Sequence, residues 1–152
     1  MTPEHLAGQW REWRHAHAAT MFRPYGWTSL VAQHWLEDGD RNVTLDMLPG
    51  LWSVEDGRVI FTPQATGPNL SVNGAYPAGP VEILPGRNQT YGHGASVPVY
   101  FGACEVDTVL RSKNDGARLY AIRIRDPREA TLAEDAGVTA FDYDPSWRLP
   151  GV

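Results

Sequence analysis

Four Asx-Gly pairs punctuate this chain: Asp38-Gly39, Asp56-Gly57, Asn73-Gly74 and Asp115-Gly116. Asp or Asn followed by Gly takes the left-handed backbone of a tight hairpin turn at little cost. The stretches between such pairs are short and alternate apolar with polar residues, which is strand patterning rather than helix patterning. With 15 Gly and 12 Pro in 152 residues, a helical bundle is a poor fit and a mainly β fold is expected. The form anticipated is an antiparallel β-sandwich or open barrel.

Two segments depart from that pattern. Thr2-Pro3-Glu4 is a helix start: a hydroxyl cap, Pro in the first turn and an acid to meet the helix dipole. Leu6, Trp10, Trp13, His17 and Met21 then recur on one helical face. The predicted N-terminal helix is amphipathic, covers about residues 3–22 and ends before Pro24. Near the other end, Asp126-Pro127-Arg128-Glu129 starts a short helix that runs to Ala136, with Gly137 after it. The β body occupies about residues 27–148, and the whole of 1–152 reads as one domain.

Trp27 to Leu36 fits either period. As a strand it places Trp27, Val31 and Trp35 on one face and Leu30, His34 and Leu36 on the other. The Asp38-Gly39 turn favours the strand, with Val43 to Met47 as its hairpin partner. Leu51–Val54 and Arg58–Thr62 flank a second hairpin, and Leu70–Val72 enters a third. Val81 to Leu84 is a short strand, and Val97 to Leu110 is two strands or one bent at a Gly102 bulge. Ala117 to Arg125 and Val138 to Tyr143 complete the set.

Several side chains invite a chemical reading. His17 sits mid-stripe, either hydrogen-bonded at the core edge or facing a pocket as an acid/base group. His93, bracketed by Gly92 and Gly94 in the irregular segment Arg87–Ser96 with Tyr91, is either part of an ordinary loop or a ligand contact. Glu105 and Asp107 share one side of a strand, which usually means a solvated face. Arg123 and Arg125 alternate in the same way and would pair with acids on a neighbouring strand or bind an anion. Cys104 has no cation beside it in sequence and reads as an inert thiol.

The formal net charge of −5 argues against nucleic acid as a partner, because no basic field gathers phosphates. One cysteine permits neither an intramolecular disulfide nor a cysteine-rich zinc site, and a reducing cytoplasm is the expected setting. His15-Ala16-His17 cannot share a metal from a helix, since residues two apart point to opposite sides. No apolar run is long enough to span a bilayer as a helix, and no leader-like segment opens the chain. Phosphate-loop, nucleophile-elbow and zinc-helix motifs are absent. Neither a cofactor nor a metal is expected, and nothing in the sequence bears on the oligomeric state.

Trp10-x-x-Trp13-Arg14, then Gly26-Trp27-Thr28-Ser29-Leu30 through His34-Trp35-Leu36-x-x-Gly39, resembles the N-terminal signature of a bacterial family known as domain of unknown function 1684. Val72-Asn73-Gly74, Arg123-Ile124-Arg125-Asp126-Pro127 and Phe141-x-x-Asp144-Pro145-x-Trp147-Arg148 are similar to its later blocks. The resemblance implies an N-terminal helix and a β-rich body like a forkhead-associated sandwich. The Gly-Arg and Ser-x-x-His pairs that read phosphothreonine in such sandwiches have no counterpart here. An Asn-Pro-Pro-Cys-like stretch that follows the Trp-Arg block in typical members is also missing, so the resemblance is to a short member.

Taken together, the residues favour a small-molecule-binding β protein whose pocket lies between the N-terminal helix and the sheet. Trp13, Trp27, Trp35, Tyr91 and Arg123 would contact the ligand, and His17, His34 and His93 would supply cofactor-independent acid/base chemistry. A non-catalytic interaction module, docking a partner by a loop end or an exposed sheet edge, is the alternative. A histidine-ligated metal or haem protein is a weaker third.

Overall fold

A computed structural model describes residues 2–85 and 97–147 of the chain. The N-terminal helix α1 spans Pro3–Met21, where Thr2 Oγ1 accepts the His5 N–H at 3.3 Å. Its last turn closes with Phe22 N–H on the Ala18 carbonyl, and Pro24 stops it. Among the described residues eight strands follow: β1 (Leu30–Glu37), β2 (Leu51–Glu55), β3 (Arg58–Thr62), β4 (Ser71–Val72), β5 (Val81–Glu82), β6 (Val99–Phe101), β7 (Cys104–Ser112) and β8 (Arg118–Arg125). Helix α2 (Pro127–Ala136) follows the strands, and a 3-10 turn at Pro145–Trp147 comes after it. The fold is mainly β, as the turn chemistry implies.

The strands form two antiparallel sheets, ordered β1-β8-β7-β6-β4 and β2-β3-β5. Their facing sides make the core. Leu36, Val106, Tyr120 and Ile122 come from the large sheet, Trp52, Val54, Val59 and Phe61 from the small one. Trp52 is fully buried against Phe61, with ring centroids 5.3 Å apart, and its indole N–H donates to the Pro49 carbonyl. Each such side chain removed from water stabilises the fold by about 1.5–3 kcal/mol. Large apolar residues on strands of period two thus explain why the sheets stack.

The turns behave as their sequences dictate at three of the four Asx-Gly pairs: Asp115-Gly116 closes β7 onto β8, with Gly116 at φ of 84°. Asp56 and Gly57 take φ of 49° and 75°, and Asn73 and Gly74 take 51° and 79°, the paired left-handed geometry of a two-residue hairpin. Asp38-Gly39 does not. Instead of folding back on Val43–Met47, β1 pairs with β8, with Leu36 opposite Tyr120. The chain crosses to the small sheet, where Val43 exchanges two 2.8 Å backbone bonds with Trp52. The Asp40 carboxylate accepts the Glu37 N–H at 2.8 Å, and Asn42 and Met47 adopt positive φ; these break any strand before Leu48.

Three further expectations change. Gly102 is not a bulge: with φ of 59° it opens a two-residue turn that brings Phe101 opposite Cys104. Val138–Tyr143 is not a strand; it runs irregularly after Gly137 caps α2. Helix α1 is not laid on the sheet by its apolar stripe, for none of its residues is buried. No helix among the described residues is long and apolar enough to cross a membrane.

Candidate functional site

The stripe of α1 faces the 138–144 segment instead of the sheet. Trp10, Trp13, His17 and Met21 form one wall of a groove of about 400 Å³, and Val138–Phe141 forms the other. Trp10 meets Tyr143 at 6.0 Å, which ties the two walls together. A second hollow of about 430 Å³ continues past Trp10 and Trp13 toward Leu6 and Tyr143. The polar groups of this groove lie against indoles. The His17 ring stacks on Trp13, 4.9 Å between centroids and 8° from parallel. The Arg14 guanidinium sits 5.0 Å over Trp10, a cation–π contact. At the end of the helix, the Thr28 hydroxyl donates to the Met21 carbonyl at 2.9 Å, fixing the stripe relative to the turn at Trp27–Ser29.

The other residues singled out by sequence do not converge on this groove. Trp27 and Trp35 are 56% and 50% exposed, and neither lines it. His34 points to the core side of β1 and donates Nε2–H to the Asp46 carbonyl at 2.9 Å, which pins the loop between β1 and β2. Tyr91 and His93 lie outside the described residues. Among the described residues, no three His, Cys, Asp or Glu side chains are placed to share a metal ion.

Arg123 belongs to a separate cluster on the outer face of the large sheet. Register places it opposite Asp107, and Arg125 opposite Glu105. Asp107 accepts both Nε (2.8 Å) and Nη2 (2.6 Å) of Arg123 in a forked pair. Arg125 Nη1 donates to the Gly26 carbonyl at 2.7 Å, and its Nε lies 3.9 Å from Asp107. The face expected to be solvated is instead largely covered: the Asp107, Arg123 and Arg125 side chains are only 9–13% exposed. Tyr25, packed against Tyr100 at 6.0 Å, bonds the Ala103 carbonyl and helps cover it. The alternation of acids on one strand with arginines on the next was a readable sign of a cross-strand ladder, but it needed the register to be decisive.

Burial sets the proton affinities here. It pushes Glu105 above the usual carboxyl range, reinforced by the Asp107 charge and opposed by Arg125 and Arg123. It lowers Arg125, partly offset by Asp107. Burial also raises the Cys104 thiol, and Asp126 adds to that, so this cysteine is a poor nucleophile. At the start of α2, Asp126 is held low by the hydrogen bonds of Arg128, whose backbone N–H (2.9 Å) and guanidinium both reach it.

The sequence blocks distant along the chain meet in pairs. Gly26–Leu30 joins Arg123–Pro127 through Arg125 on Gly26 and through the Asp126 N–H on the Ser29 carbonyl, 2.8 Å. Trp10–Arg14 joins 141–144 across the groove. The chain matches no known family model, and no curated protein or solved structure was found similar to it.

Proposed function

We propose that this protein binds a small planar molecule carrying an anionic group, in the groove between α1 and residues 138–141. The observation that carries this reading is the stacked pair Trp13–His17 beside the cation–π pair Trp10–Arg14, both lining one hollow of about 400 Å³. That volume falls in the range of ordinary ligand sites. Indole faces supply area for a flat ring, and an arginine at the rim meets a carboxylate or phosphate. His17 is the imidazole available there for proton transfer, should the ligand be a substrate. A single-cysteine chain suits the cytoplasm, and the resemblance to domain of unknown function 1684 is part of the same proposal.

Titration with 1-naphthoate, followed by tryptophan fluorescence, tests it. Saturable quenching is expected, weakened about tenfold or more in Trp13→Ala and in Arg14→Gln. The neutral analogue 1-naphthalenemethanol should bind less well. Equal affinity for acid and alcohol, or quenching that persists in Trp13→Ala, would remove the groove as the site.

A second reading has one observation in its favour. Strand β1 is outermost in its sheet among the described residues, and it displays Trp35 half exposed. An extended peptide could add there as a further strand. Loss of peptide binding in Trp35→Ala with naphthoate binding intact would favour that reading.

A further inference from the structure

The groove along α1 has two ends of opposite charge. Residues 138–141 line it toward Met21, and residues 142–144 line the hollow that continues toward Leu6. The segment therefore runs antiparallel to the helix, and Trp10 and Trp13 belong to both parts. Arg14 stands at the first part, Asp142 and Asp144 at the second. Along the helix axis Arg14 lies about 7–12 Å from Gln9 and Leu6, which share the second hollow with those acids. A two-ring molecule bridges such a span.

The charges at the two ends are uncommitted. Elsewhere ion pairs form: Arg41 with Glu55, Lys113 with Glu37, Arg123 with Asp107 and Arg128 with Asp126. Among the described residues Arg14 pairs with no carboxylate, and neither Asp142 nor Asp144 pairs with a cation. Arg14 rests its guanidinium on the Trp10 ring, which positions the group without consuming its N–H donors. Asp144 accepts the Ser146 N–H at 2.8 Å. Hydrogen bonds from Ser146 hold that carboxyl below the usual carboxylate range, so it is charged at neutral pH. An anion alone answers only Arg14, and a cation alone answers only the acids. A flat molecule carrying one charge of each sign answers both, across the indoles that the two parts share.

We propose, building on the reading of this groove as a ligand site, that it takes a flat two-ring zwitterion, with a carboxylate on Arg14 and an ammonium beside Asp142 and Asp144. The carboxylate accepts guanidinium N–H donors. The ammonium gains from the acids and from the nearby indole faces. Asp142 and Asp144 are exposed, so the added attraction is that of a solvent-screened pair. It amounts to about fivefold in affinity and shrinks as salt is added.

The test compares 2-naphthoate, 6-(hydroxymethyl)-2-naphthoate and 6-(aminomethyl)-2-naphthoate on the full chain, by quenching of tryptophan fluorescence. At low salt the aminomethyl acid should bind about fivefold tighter than the hydroxymethyl acid, and about 1 M sodium chloride should bring the two level. In the double variant Asp142→Asn with Asp144→Asn, the aminomethyl advantage should vanish while 2-naphthoate still saturates the quenching. An amide at position 144 can accept the Ser146 N–H as the carboxylate does, so the turn is kept. Equal affinity of the two substituted acids at low salt, or an advantage that persists in the double variant or at high salt, overturns the zwitterion and leaves the groove reading standing. Failure of all three acids to bind removes the groove as a site, and the zwitterion with it. If the double variant fails to fold, the salt series of the unaltered chain decides the matter alone.

Discussion

Trp52 and Trp13 are the same side chain in opposite circumstances. Trp52 lies between two sheets, fully buried, with its one donor bonded to Pro49. Trp13 lies on a helix none of whose residues is fully buried; it is 60% exposed, with an imidazole stacked on it. The core region closes on itself because strand pairing forces two apolar faces together. The α1 region keeps its aromatic stripe open to a groove. An indole in the first region stabilises the fold; in the second it offers surface to something else. That difference separates residues that hold this protein together from residues able to act.

The sharpest way to break this contrast is to truncate both. Trp52→Ala should cost about 3–5 kcal/mol in chemical denaturation, since it removes a large side chain and leaves a cavity. Trp13→Ala should lie within about 0.5 kcal/mol of the parent, as surface changes do. A loss above about 2 kcal/mol for Trp13→Ala would mean that α1 is packed more firmly than its exposure indicates.

Next in size is the outer-face cluster, which lies between the two regimes: charged, yet covered. Asp107→Asn leaves the Arg123 and Arg125 guanidinium groups without their shared counter-charge, at side-chain exposures of 13% and 9%. Breaking a buried pair costs about 3–5 kcal/mol; partial exposure places the expected loss near the lower figure, about 3 kcal/mol. The double variant Asp107→Leu with Arg123→Met should be milder than Asp107→Asn, since the pair leaves together. Additive losses would show that the two side chains act independently.

The parts of this fold that are local chemistry were legible in the sequence. Asp56-Gly57 and Asn73-Gly74 make the turns their residues favour, Thr2-Pro3 and Asp126-Pro127 start helices, and Gly137 ends one. What the sequence hid is pairing at a distance. Strand β1 ignores its nearest turn because its partner, β8, lies more than eighty residues on, as Leu36 opposite Tyr120 illustrates. The same limit applies to the site. Period gave the Trp10, Trp13, His17, Met21 stripe, but nothing in it names residues 138–141 as the facing wall. Likewise Glu105 and Asp107 looked solvated until register set arginines opposite them and Tyr25 above them.

A smaller effect sharpens the boundary between the regions. His34 serves the core side, through its bond to the Asp46 carbonyl. His34→Ala should therefore cost about 0.5–1.5 kcal/mol and leave naphthoate affinity unchanged. His17→Ala should do the reverse, leaving stability nearly intact and weakening the ligand. Interchanged outcomes would reassign the two imidazoles.

The smallest expected effect concerns two carboxyl groups whose proton affinities move in opposite directions. Glu105 is raised, chiefly by burial. The folded protein therefore holds that proton at pH values where the unfolded chain has lost it, and stability falls as pH rises from the ordinary glutamate value through the raised one. Asp126 is lowered, chiefly by Arg128. Its contribution is present above the ordinary aspartate value and fades as pH drops through the lowered one. Glu105→Gln should flatten only the first slope, and Asp126→Asn only the second, in melting temperatures measured from pH 3 to 8. Should Glu105→Gln leave the slope above the glutamate value unchanged, that carboxyl is ionised in the folded protein. The outer face would then carry one more unpaired negative charge, and the contrast between its covered charges and the open groove would weaken.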